Sequence, residues 1–225
     1  GDHAEGAAIF AALRDFLEAA QGGNLARVEE ALHTGVPINF ERSVHEVYTC
    51  HPCGTAIMCA VDHGHDHVVR ALLNAGASIE SQRYGDYPRL ICAAIHGHHS
   101  VVRTLLASVN PLSRLDHLLG QADDGGTGYT ALQYAAECGH AKALEVLLEF
   151  YPDDDYPNIV KTIAWAAIIS ILKGHADCAA ALVSERNCQA RRAAVVSHAV
   201  RHGLERAMVV LIDRDNPLIT ASDLD

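Results

Sequence analysis

The sequence predicts an all-α solenoid built from stacked helix-turn-helix units. Six glycines are each followed by a run in which apolar residues recur three and four positions apart, as on one face of a helix. A second helical pattern precedes each of these glycines. Alanine supplies 36 of the 225 residues, and such small side chains suit helices that pack closely against one another. The six glycines are Gly23, Gly64, Gly97, Gly139, Gly174 and Gly203.

Each glycine is expected to form the turn of one helical hairpin, because glycine adopts the positive φ that ends many helices. The pattern is clearest around Gly64, where residues 55–61 predict a first helix and residues 65–77 a second. Paired small residues such as Ala93 and Ala94 mark close approach between neighbouring first helices. We expect a single domain over residues 1–225. Its units are expected at about 8–38, 54–79, 86–109, 128–150, 160–187 and 190–215.

The repeated unit resembles the ankyrin repeat, which reads Gly-x-Thr-Pro-Leu-His-x-Ala-Ala-x-x-Gly-His before an apolar helix. Residues 128–140 follow this pattern nearly throughout, with Ala131 in place of Pro and Gln133 in place of His, and residues 54–77 fit equally well. The outer units diverge, as is usual where one face caps a stack. The resemblance implies projecting finger loops between units. It also implies a structural role for the histidines that follow the glycines, which are His65, His98, His140 and His175.

Departures from the repeat period mark two insertions and one long helix. Successive glycines are 41, 33, 42, 35 and 29 residues apart, against about 33 in the family. The long intervals place insertions at about 39–53 and 110–127, where the family has its fingers. Both are candidate recognition elements, with neutral padding as the alternative. In the fifth unit the motif at residues 162–167 lies early relative to Gly174, which predicts a longer first helix.

Charge and cysteine usage limit the possible partners and compartment. The net charge of −11 repels phosphate backbones and anionic lipid surfaces, so nucleic acid and membrane are not expected as partners. Seven cysteines without a framework of spacings favour a reducing compartment over disulfides. We therefore expect a monomeric protein in the cytoplasm. The cytosol of a host cell is one such location. No nucleotide fingerprint or hydrolase triad is present, and no cofactor is expected.

The insertion at 39–53 carries the main alternative to a purely binding role. Cys50 and Cys53 have the spacing of half a zinc site, because two thiolates two residues apart can bind one ion from a turn. His45 and His63 are the further ligands considered. A metal-dependent or thiol-based activity in this loop is therefore an alternative, with a loop of reduced thiols as the simpler interpretation.

The resemblance implies binding of a protein or peptide on the concave face, without catalysis. Positions facing it in the family are the two residues before each glycine and the residue before the Thr position. Three tyrosines, Tyr84, Tyr87 and Tyr129, are expected to anchor the partner. The carboxylates of Asp62 and Glu137 favour a polar or basic partner. Packing of each tyrosine against its neighbouring unit is the alternative. The chain could also be the targeting module of a longer enzyme or scaffold. The candidate residues are Tyr84, Tyr87, Tyr129, Asp62, His63, Ile95, His96, Glu137 and Cys138.

Overall fold

Up to residue 183, the described part of the chain contains ten helices that form five hairpins. The computed structural model describes residues 2–40, 54–78, 88–109, 128–151, 157–183, 195–197 and 199–201. The first three hairpins are α1 (Asp2–Gln21) with α2 (Leu25–His33), α3 (Ala56–Asp62) with α4 (Asp66–Asn74), and α5 (Arg89–Ile95) with α6 (His99–Ala107). The last two are α7 (Ala131–Cys138) with α8 (Ala141–Phe150), and α9 (Pro157–Lys173) with α10 (Ala176–Val183). The all-α class is confirmed.

Each hairpin begins and turns for local reasons that the sequence predicts. In the second unit the Thr55 hydroxyl accepts a hydrogen bond from the Met58 amide at 3.4 Å and caps α3. In the fourth unit Thr130 and Gln133 form a capping box, in which the Thr130 amide donates to Gln133 Oε1 at 2.9 Å. The turn glycine Gly64 has φ +74°, a conformation that residues with a Cβ rarely adopt.

The hairpins stack so that like helices contact like helices. First helices pack in the order α1, α3, α5, α7 and α9, and second helices in the order α2, α4, α6, α8 and α10. Leu72, Leu90 and Leu105 are fully buried between units. Ala60, Ala94 and Ala135 are also fully buried, because only a methyl group fits where first helices approach closely. The alanine excess therefore has the expected structural cause.

The predicted long helix of the fifth unit is confirmed. α9 has 17 residues, whereas α7 before it has 8. The ends of α9 and α7 lie close together, because His175, which follows the Gly174 turn, donates to Glu137 O. Most of the 39–53 insertion and all of the 110–127 insertion lie outside the described residues. Among the helices that the structure describes, none is long and apolar enough to span a bilayer.

Candidate functional site

Four imidazole rings connect successive units, and we call them the histidine ladder: His65, His98, His140 and His175. The Nε2–H of each ring donates to a backbone carbonyl at the end of the preceding unit's first helix. The acceptors, in ladder order, are Gln21 O at 2.8 Å, Asp62 O at 3.0 Å, Ile95 O at 2.9 Å and Glu137 O at 3.0 Å.

The ladder solves a problem of helix ends. The last carbonyls of an α-helix have no partner within the helix, and each ladder ring satisfies one of them from the next unit. Each ring also lies against the turn glycine of that preceding unit. A Cβ at Gly64 would meet His98 Nδ1 at 2.6 Å, and Gly97 has the same relation to His140 at 2.5 Å. The predicted structural role of these histidines is confirmed.

Next to the ladder lies a second set of side chains, the two residues that precede the turn glycines. We call this set the pre-glycine row. It includes one residue from the first unit and two from each of the next four. The row consists of Gln21, Asp62, His63, Ile95, His96, Glu137, Cys138, Leu172 and Lys173.

His63 and His96 hold the opposite tautomer from the ladder rings. Their Nδ1 atoms lie 2.9 Å from carbonyl oxygens four residues earlier, Cys59 O and Cys92 O, so Nδ1 carries the proton and donates it. In the neutral ring Nε2 is then a hydrogen-bond acceptor. The side-chain amide of Gln21 already approaches Nε2 of His63 at 3.5 Å. Both side chains are exposed, so the row presents acceptors in two consecutive units.

The row and the ladder are in ring contact within the second and third units. His63 stacks on His65 with centroids 6.2 Å apart and planes 11° from parallel. His96 stacks on His98 at 5.7 Å and 13°. The ladder hydrogen bonds therefore hold the ladder rings in position, and the ladder rings support the exposed ones.

The fourth and fifth units carry charge at the same positions. The Lys173 ammonium lies 2.8 Å from Glu137 Oε1, with exposed side-chain fractions of 52% and 28%. This hydrogen bond raises the pKa of Lys173. Burial, with a smaller effect from the Glu137 carboxylate, raises the pKa of the Cys138 thiol, while Lys173 lowers it. Cys138 is therefore a protonated thiol at neutral pH rather than a nucleophile.

The predicted aromatic anchors are described only in part. Tyr129 is half-buried and packs edge-to-face on Tyr134 in its own unit, with centroids 5.6 Å apart. Part of its ring area is thus used within its own unit, whereas the packing alternative placed such a tyrosine against the neighbouring unit. Tyr84 and Tyr87 lie outside the described residues. Their role as anchors stays a prediction.

The zinc hypothesis also stays a prediction. His45, Cys50 and Cys53 lie outside the described residues. His63, the fourth ligand considered, donates from Nδ1 to its own helix and meets Gln21 with Nε2. Within the part of the chain that the structure describes, no cluster of three His, Cys, Asp or Glu side chains could hold a metal ion.

Sequence reasoning missed three members of the row. Lys173, Leu172 and Gln21 precede Gly174 and Gly23, so the rule that selected Asp62 and His63 applies to them as well. Leu172 is 46% exposed, an unusual position for a leucine in this stack. The degenerate motifs of the first and fifth units hid these positions. The glycine alignment alone was sufficient to find them.

Residues 16–114 and 90–157 match the family model for ankyrin repeats in three copies, which together covers more than half of the chain. The chain belongs to the ankyrin-repeat family. Ankyrin repeats are generally protein-protein interaction modules and are typically non-enzymatic. No curated protein matches the chain significantly. The family model contains three copies of the repeat, so the count of about six ankyrin repeats in this chain stays a prediction.

Proposed function

We propose that the chain is a non-enzymatic interaction module that binds a protein or peptide along the pre-glycine row, on the concave face of the stack. The observation that carries the proposal is the repetition of exposed polar groups at one position of consecutive units. Ladder histidines are used in holding units together, whereas the side chains of His63 and His96 are exposed beside them. A row of this kind can be read by an extended partner one unit at a time.

The chemistry of the row favours a polar or basic partner. Nε2 of each exposed imidazole accepts a hydrogen bond, and the Asp62 carboxylate adds a negative charge beside them. Glu137 is partly neutralised by Lys173, so the negative end of the row lies in the second unit, at Asp62. Ile95 and Leu172 add apolar area between the polar groups. The partner is therefore expected to carry hydrogen-bond donors, such as amines or amides, with small apolar side chains between them.

The proposal includes a monomeric chain that works in a reducing, cytoplasmic compartment. Within the described residues, Cys59, Cys92, Cys138 and Cys178 form no disulfide. Cys59 and Cys178 are buried core side chains, which explains their presence without any redox role.

The test is selection of binding peptides from a random library by the intact chain. The decisive variant is His63→Phe with His96→Phe, which keeps two rings for stacking on His65 and His98 but removes the Nε2 acceptors. His99→Phe is the matched control, because His99 is exposed and begins a second helix. We expect the selected peptides to bind the wild type and the control and to lose at least tenfold in affinity for the double variant, equal to about 1.4 kcal/mol.

A second variant tests the aromatic anchors. Tyr84, Tyr87 and Tyr129 are replaced together by Ala, and the melting temperature is measured beside peptide affinity. Lost affinity at an unchanged melting temperature supports anchoring. A large fall in the melting temperature instead assigns the tyrosines to packing. Peptides that bind both variants as tightly as the wild type would contradict the proposed face.

A further inference from the structure

His98 occupies the middle of the ladder, with ionisable groups on three sides. Its Nε2–H donates to the Asp62 carbonyl of the second unit, and the Asp62 carboxylate lies in the same region. The His96 ring stacks on it within the third unit. His140 of the fourth unit is the ladder ring that follows. The ring is half-buried among these groups.

A second proton can enter this ring only at Nδ1, because Nε2 already carries the proton donated to Asp62 O. The Nδ1 edge is packed against the Gly64 turn, where an added Cβ would lie 2.6 Å from Nδ1. Among the described residues, Nδ1 of His98 has no hydrogen-bond acceptor. An imidazolium at this position would therefore hold a new N–H against the backbone of the Gly64 turn, with no acceptor among the described residues.

We propose that the contact between the second and third units is an acid-sensitive joint, in which proton uptake by His98 loosens the Gly64 turn from the third unit. The joint concerns the stack itself and does not depend on which partner the chain binds. It places a response to pH between two units of the pre-glycine row.

The direction in which the pKa of His98 shifts agrees with the geometry of the ring. Burial is the largest effect and lowers the pKa of His98 below 6.5. The hydrogen bond to Asp62 O opposes it, as does the Asp62 carboxylate, while His96 and His140 lower the pKa further. The unfolded chain thus binds the proton more readily than the folded chain. The free energy of unfolding is highest above pH 6.5 and falls as the pH drops from 6.5 towards the pKa of the folded state.

The experiment is urea unfolding of the whole chain at pH 7.5 and 5.5 for the wild type, His98→Gln and His99→Gln. Glutamine can keep an N–H donor near Asp62 O but takes up no proton. The neighbouring His99 is exposed and serves as the control. Between the two pH values, we expect the folding constant of His98→Gln to fall less than that of the wild type, by a factor of up to about ten. The folding constant of His99→Gln should fall as much as that of the wild type. Equal falls in the folding constants of all three proteins would overturn the proposal.

Histidine NMR on the wild-type chain keeps the test decisive if His98→Gln does not fold. We expect the Hε1 resonance of His98 to titrate with a midpoint below 6.5. Over the same range, amide exchange in α3, corrected for its intrinsic pH dependence, is expected to accelerate more than exchange in α7. A midpoint at or above 6.5, or equal acceleration in the two helices, would show that the joint does not respond to acid.

Discussion

Lys173 Nζ lies 2.8 Å from Oε1 of Glu137, so an ion pair connects the fifth unit to the fourth at the pre-glycine row. Both residues belong to the pre-glycine row, and the pair therefore sets the charge of one end of that row. The same lysine acts on Cys138, the residue after Glu137, whose thiol pKa it lowers against the opposing effects of burial and carboxylate.

Replacing Lys173 by Met is expected to change the reactivity of the Cys138 thiol more than the stability of the fold. Water and salt screen exposed ion pairs, so the free energy of unfolding should change little. Loss of the positive neighbour raises the Cys138 thiol pKa further, and alkylation of Cys138 by iodoacetamide at pH 8 should slow. Lys142→Met, at an exposed position on α8, is the control. Faster alkylation in Lys173→Met would contradict this account of the thiol.

The cysteines should differ in reactivity in the folded chain. Burial raises the pKa of Cys178 to about 11, with smaller effects from Asp177 and Glu145. At pH 8 this thiol is then ionised in only about one molecule in a thousand. We expect peptide mapping after brief alkylation to find Cys138 labelled first and Cys178 and Cys59 unlabelled until urea is added. Rapid labelling of Cys178 without urea would show that α10 is not packed as described.

Alanine substitution at two glycines can separate the effect of contact with the His98 ring from the effect of backbone strain. Gly64 and Gly76 both have positive φ, at +74° and +93°, so alanine is strained at either position. Only at Gly64 would the new Cβ meet a ring, that of His98, whereas nothing lies within 4 Å at Gly76. We expect Gly76→Ala to cost about 1–2 kcal/mol, and Gly64→Ala to cost about 1–3 kcal/mol more. Chemical unfolding of the two variants measures the difference, and equal losses would mean that the ring moves aside freely.

Removing a ladder ring should be costly, although its side chain is not fully buried. His140→Ala leaves the Ile95 carbonyl without its 2.9 Å hydrogen bond, and such a loss costs about 1–3 kcal/mol. His99→Ala removes an exposed imidazole from the beginning of α6 and is expected to cost less than about 0.5 kcal/mol. Urea unfolding compares them. Comparable losses for both would mean that the ladder bond adds nothing to the stack.

Much of the fold could be predicted because its signals are local and repeated. Gly64 with the apolar runs on either side specifies a hairpin without reference to any other unit. The early position of residues 162–167 likewise predicted the long α9, because helix length shows directly in the spacing. The role of His140 came from the family pattern. Its partner, Ile95 O, is 45 residues away and depends on how two units stack.

The site was harder to predict than the fold. Its positions could be taken from the glycine alignment, but the proton positions could not, since His63 and His65 are two residues apart and hold opposite tautomers. That difference arises because one ring faces its own helix end and the other faces the preceding unit. The Lys173 ion pair was missed because the fifth unit departs from the motif. Tyr84 and Tyr87 lie outside the described residues, so the aromatic part of the site stays a prediction.

The ladder makes the units interchangeable in principle. Residues 65–97 begin with His65, whose ring covers Gly23 of the first unit, and end with Gly97, which the ring of His140 in the fourth unit covers. Deleting this segment would join Gly64 to His98, leaving a ring free to cover Gly23 and a glycine ready to receive His140. Duplicating it would likewise create no mismatched junction. A segment of this kind can thus be deleted or duplicated while every turn glycine still has a histidine ring to cover it. This gives the architecture a simple way to gain or lose length by recombination.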